Sequence, residues 1–91
     1  MAQARKRQRI TDATIQEWKR SGDPERVVAA ELAARINAGR LPGMTEPPSA
    51  IELAQELEVT SAQALRGKMR LVDLGYLVVD KGFYVSGGLQ P

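Results

Sequence analysis

A mainly α-helical domain closed by a small β-hairpin is what this sequence predicts, and three observations carry that expectation. Ser49 stands three residues before Glu52, and Thr60 three residues before Gln63. Each pair has the capping-box form, in which the first side chain accepts from the third helical N–H and the second reaches back. Upstream, Val28, Leu32 and Ile36 recur at helical spacing behind Asp23-Pro24, an N-cap residue followed by proline at the first helical position. Past Gly75 the pattern changes to β-prone runs around Asp80-Lys81-Gly82.

The 91 residues make one small domain, near the lower limit for a self-sufficient core. Aromatics are only 4% of the chain, so the core must be built from Leu, Val, Ile, Ala and Met. Cysteine and histidine are absent, which excludes disulfides, Cys/His zinc sites and every Ser-His or Cys-His nucleophile pair. The acids are scattered over helical surfaces, and no glycine loop suited to cradling phosphate is present. No enzymatic activity, metal or cofactor is therefore expected. No apolar run exceeds four residues, so neither a signal-peptide core nor a membrane span is expected, and the expected location is cytoplasmic, on the nucleoid.

The net charge of +2 conceals an asymmetry. Arg5, Lys6, Arg7 and Arg9 lie in the first ten residues with no acid, whereas the rest of the chain has nine bases against eleven acids. Residues 1–10 are read as a basic, disordered arm, able to lie along phosphates or in a minor groove, or serving only as a solubilising tail. Thr11 or Asp12 starts a helix running to about Arg20 and ended by Ser21-Gly22, so that 11–22 is a short N-terminal helix. Ile15 and Trp18 share its face. They dock on their own domain or, on the sharper reading, make the contact of a homodimer.

From Pro24 a helix runs to about Ala38, with Gly39 in the left-handed position that follows a helix end. Gly43 and three prolines between Arg40 and Pro48 mark an ordered loop. A short helix from Ala50 to Leu57 buries Leu53, Ala54 and Leu57, and Glu52, Glu56 and Glu58 give it an acidic edge that faces solvent or a partner, away from phosphate. Leu57-Glu58-Val59 makes the turn into a longer helix, Ser61 to Leu74. At about 100° per residue, Gln63, Arg66, Gly67 and Arg70 fall on one polar arc, with Leu65, Met69 and Val72 on the apolar side and Ala64 and Leu71 extending it. Lys68 interrupts that side, where its stem packs while the ammonium reaches water. Gly67 on the polar arc permits close approach of a nucleic-acid backbone, or is simply tolerated.

Tyr76 to Val79 and Phe83 to Val85 then form the hairpin, and 87–91 is a flexible tail. A short helix, a tight turn and a longer helix make a helix-turn-helix, and a hairpin directly after it makes a winged helix, here over residues 23–86.

The order of these elements, and words within them, resemble the DNA-binding domain of the GntR family of bacterial transcription regulators. The matching residues are Ile36-Asn37-Ala38-Gly39-Arg40-Leu41-Pro42-Gly43, Pro48-Ser49, Leu53-Ala54, Val59-Thr60, Leu71, Gly75-Tyr76-Leu77 and Gly82-Phe83-Tyr84-Val85. The likeness spans roughly residues 24 to 86. Pro47 stands where the family usually has leucine. Ser61 and Leu65 replace arginines of the recognition helix, and Lys68 replaces an apolar residue. The family's large effector domain has no counterpart in this sequence, so no small-molecule effector is expected.

The resemblance implies a sequence-specific regulator of transcription, expected to be a repressor, whose 61–74 helix enters the major groove of double-stranded DNA. Gln63 suits adenine, and Arg66 and Arg70 suit guanine. Ser49, Thr60, Ser61 and the helix N-termini would meet phosphate, with Lys81 and Tyr84 of the hairpin on the adjacent backbone and Arg5, Lys6, Arg7 and Arg9 along the arm. Two alternatives stand beside it. One is a winged helix used as a protein-interaction module, favoured by the acidic edge and the net negative body. The other is an accessory protein that bends DNA in recombination.

Overall fold

The computed structural model describes residues 6–87. Four helices come first: α1 (Asp12–Arg20), α2 (Pro24–Asn37), α3 (Ala50–Leu57) and α4 (Ser61–Asp73). Two strands follow, β1 (Leu77–Val79) and β2 (Phe83–Val85), paired antiparallel with Leu77 opposite Val85 and Val79 opposite Phe83. The architecture is thus mainly α with one small hairpin.

Local chemistry accounts for the helix starts. Thr11 accepts from the Thr14 amide at the head of α1, and Asp23 accepts from the Glu25 amide ahead of Pro24 at the head of α2. Both capping boxes are formed: Ser49 with Glu52 on α3, and Thr60 with Gln63 on α4. Between α3 and α4 the chain turns through Glu58 in the left-handed region, φ 57°, an uncommon conformation for a residue with a side chain. Its backbone N–H still caps Ala54, and Val59 is half-buried beneath the turn.

The core sits around α2, which buries Val28, Ala29, Ala30, Leu32, Ala33 and Ile36 and packs against both α1 and α4. Its many alanines allow that close packing on several sides. Leu53 of α3, Ala64 and Leu71 of α4, and Tyr76, Leu77 and Val85 of the hairpin complete the core. The proline-rich loop ahead of α3 runs beside β2: the Met44 amide donates to the Val85 carbonyl, and the Val85 amide to the Thr45 carbonyl, both at 2.8 Å. The outer edge of β2 is thereby hydrogen-bonded by a segment whose prolines hide any strand pattern in the sequence.

The expected division at the N-terminus is corrected. Residues 7–10 of the expected disordered arm lie on the domain. Ile10 is 4% exposed, its N–H donates to the Tyr76 hydroxyl at 3.0 Å, and its carbonyl accepts from Asn37 at 2.9 Å. The Gln8 N–H reaches the Leu74 carbonyl. The guanidinium of Arg7 lies over the Tyr76 ring and donates to the Ser86 hydroxyl at 2.6 Å. One apolar residue and a set of satisfied backbone groups outweigh the basic composition. Helix α1 docks on the domain, one of the two readings given for it, with Ile15 in the same core. At 2% exposed Ile15 has no surface to offer a second copy, which removes it from the expected dimer contact; Trp18 is half-buried. The expectations for residues 1–5 and 88–91 lie outside the described residues.

Candidate nucleic-acid interface

Helix α4 buries Ala64, Lys68 and Leu71 of its expected apolar side but is turned so that Gly67 joins them and Leu65 and Met69 do not. Its buried residues are Ala64, Gly67, Lys68 and Leu71, the i, i+3, i+4, i+7 set of one stripe. Leu65 and Met69, expected inside, are 45% and 43% exposed. The exposed residues of α4 are Ser61, Ala62, Leu65, Arg66, Met69 and Asp73. Relative to the expected apolar arc, the helix is rotated about its axis by roughly 70°.

Two residues cause the rotation. A Cβ on Gly67 would stand 2.6 Å from Val28 Cβ and 2.9 Å from the Glu25 carbonyl oxygen. The glycine therefore lies against α2 with no room for a side chain, and the expectation that it faces a nucleic-acid backbone is corrected. Lys68 is tolerated inside because its ammonium has partners there. It donates to the Pro48 carbonyl at 2.8 Å and sits 4.5 Å from the centre of the Phe83 ring, so it does not reach water as expected. Burial holds its pKa below the ordinary lysine value, against the opposing pull of Glu52 and Glu46.

The four residues of the expected polar arc thus separate. Gly67 is buried, Gln63 and Arg70 are half-buried, and Arg66 stands out with its side chain 60% exposed. Gln63 uses its Oε1 on the Thr60 amide. Both arginines meet Glu25 in the first turn of α2: Arg66 Nε donates to Glu25 Oε2 at 2.7 Å, and Arg70 Nη2 lies 3.6 Å from Glu25 Oε1. The sequence singles out Arg66 and Arg70 but not Glu25. Its signal is legible only in retrospect, as an acid following an N1 proline on the helix that a glycine in α4 draws near.

The helix N-termini differ in what they offer an anion. At α3 the Ser49 amide is taken by Glu52, whose carboxyl is held below its usual pKa by that backbone amide and the Ser49 hydroxyl. A fixed carboxylate there repels phosphate. The first turn of α4 carries no acid, since Gln63 fills the same role without charge, and Thr60 and Ser61 are exposed there. Of the acidic edge, Glu56 is paired with Arg35 of α2, which also holds Glu31 at 2.8 Å, so this carboxylate is not simply solvated.

Among the remaining candidates, Lys6, Arg9 and Lys81 are exposed, Lys81 at the hairpin turn with φ 60°, and Tyr84 is half-buried on β2. Arg7 is committed to Tyr76 and Ser86, and Arg5 lies outside the described residues. Among the described residues no cluster of three potential metal ligands occurs, and no helix is long and apolar enough to cross a membrane. No protein-family model, curated protein or solved structure matches the chain.

Proposed function

We propose that the domain is a winged helix-turn-helix that binds double-stranded DNA in a sequence-specific way and regulates transcription, with α4 as the helix that enters the major groove. One observation carries this reading. Helix α4 is packed against α2 and α3 on its inner sides, yet presents Ser61, Ala62, Leu65, Arg66 and Met69 uncovered, directly ahead of a hairpin. A capped helix of 13 residues, held on its inner side and bare along its outer side, is the shape that fits a groove. The acid-free N-terminus of α4, with Thr60 and Ser61, suits a phosphate beside that groove. Lys81 on the hairpin turn suits the adjacent backbone. The resemblance of residues 24–86 to the GntR DNA-binding domain points the same way, and regulation by repression is what that resemblance implies.

Selection of bound sequences from a random duplex pool tests the reading. Enrichment of a short motif is expected, and an inverted repeat would add a dimer on DNA. Failure to retain any duplex at low salt would overturn it.

The exposed Leu65 and Met69 favour one second reading, a winged helix whose α4 face binds another protein. The net negative charge of residues 11–91 supports the same alternative.

A further inference from the structure

The guanidinium of Arg66 has one end bound and one end free. Its Nε donates to Glu25 Oε2 at 2.7 Å, while the side chain remains 60% exposed. Glu25 is the better anchored partner. It lies in the first turn of α2, its backbone N–H is held by Asp23 at 3.0 Å, and its other carboxylate oxygen faces Arg70. Its backbone is pressed to α4 at Gly67, the one residue of that contact without a side chain. The carboxylate is thus carried by rigid backbone to a set place beside α4.

An arginine presents five N–H donors in a rigid planar fork. With Nε–H committed to a carboxylate, the remaining donors on Nη1 and Nη2 point along the side-chain axis as a parallel pair. That pair matches the O6 and N7 acceptors of guanine in a major groove. Unbuttressed, the same side chain would swing among rotamers and act chiefly as a point charge on phosphate.

We propose that Glu25 is the positioning residue of the interface: it locks Arg66 end-on, so that α4 reads a guanine at one base position. The inference rests on the DNA-binding reading given above, and it assigns a specificity role to an acid that bulk electrostatics would count as purely repulsive.

The test uses the full chain in three forms: wild type, Glu25→Gln and Arg66→Lys. For each, the preferred motif is selected from a random duplex pool and affinities are measured for the best duplex and its single-base variants. Cooperative thermal unfolding is checked alongside. Wild type is expected to prefer guanine at one position by roughly 10-fold or more. Both substitutions should reduce the preference at that same position to near unity, leaving the other positions of the motif intact. Glu25→Gln should also bind mismatched duplexes at least as well as wild type, since it removes a negative charge. Arg66→Lys leaves Glu25 and the α2–α4 packing in place, so an unchanged guanine preference in it overturns the inference even where Glu25→Gln melts early.

An unchanged guanine preference in folded Glu25→Gln, or in Arg66→Lys, overturns the positioning role and leaves DNA binding standing. A uniform rise in affinity with the motif unchanged shows Glu25 to be repulsive only, and also overturns it. A wild-type chain that selects no motif overturns the inference and the DNA-binding reading together.

Discussion

Lys68 and Pro48 are joined by a hydrogen bond from the buried ammonium to the carbonyl just ahead of the Ser49 cap, at 2.8 Å. With Phe83 beneath the same ammonium, one side chain links α4, the start of α3 and β2. Burial lowers the folded-state pKa of Lys68 from the ordinary lysine value of 10.5. The unfolded chain therefore binds this proton more tightly, and the position's contribution to stability rises with pH between the folded pKa and 10.5. Other groups titrate in the same range, so the informative quantity is a difference. Unfolding free energy of wild type minus that of Lys68→Met is expected to be flat around neutral pH and to climb in alkaline solution. A flat difference throughout would mean that the ammonium reaches water after all.

The Gly67–Val28 contact gives a prediction of sign. On an exposed helical face, Gly67→Ala would stabilise the domain by about 1 kcal/mol through helix propensity alone. Here the added Cβ would fall 2.6 Å from Val28 Cβ and Cγ1, on a side chain with no exposed surface into which to move. Overpacking of this kind costs about 1–3 kcal/mol, which exceeds the propensity gain in most of its range. Denaturant unfolding of Gly67→Ala should show a net loss of about 1 kcal/mol. A gain would restore the outward-facing glycine that the helical wheel suggests.

Tyr76 is the peg on which the N-terminal segment hangs. Its hydroxyl accepts from the Ile10 amide and donates to Asn37 Oδ1. Tyr76→Phe leaves a buried N–H without an acceptor, at a cost of about 1–3 kcal/mol in chemical unfolding. In a chain lacking residues 1–10 that N–H is gone, so the same substitution should cost markedly less there. The deletion itself should be destabilising, because Ile10 leaves the core. Equal costs of Tyr76→Phe in both backgrounds would show that the hydroxyl does not hold the segment.

How far the sequence can be read depends on what each signal is made of. The helix starts are legible because capping is local chemistry: Asp23-Pro24, Ser49 with Glu52, and Thr60 with Gln63 all do what their spacing suggests. The hairpin is legible for the same reason. The orientation of α4 is not, because it is set by pairs far apart in sequence. Gly67 faces inward only because Val28 is there to meet it, and Lys68 only because Pro48 and Phe83 take its ammonium. A hydropathy pattern scores the glycine as outward and the lysine as an interruption of the apolar side, so it centres the wheel nearer Leu65 and Met69. Ile10 is hidden likewise, as one apolar residue in a basic stretch whose anchors, Tyr76 and Asn37, lie far along the chain.

Leu65 and Met69 separate the two functional readings. Both side chains are more than two-fifths exposed, so truncating either to alanine should change stability by no more than about 0.5 kcal/mol. Leu65→Arg is the sharper substitution, because the two readings give it opposite signs. In a major groove an added arginine at this position, one turn past Ser61, lies among phosphates and base edges. Duplex affinity should rise, and each further phosphate that the arginine neutralises should steepen the slope of log affinity against log salt by roughly 0.9. On a protein-binding face the same change puts a charge where an apolar partner surface must close. Affinity for that partner should fall, and duplex binding, absent in wild type, would appear only weakly and without sequence preference. Measured side by side with thermal unfolding as the control, tighter and more salt-sensitive binding of the selected duplex by Leu65→Arg supports insertion of α4 in the groove. Weakened binding of that duplex by a fully folded Leu65→Arg domain would take α4 out of it.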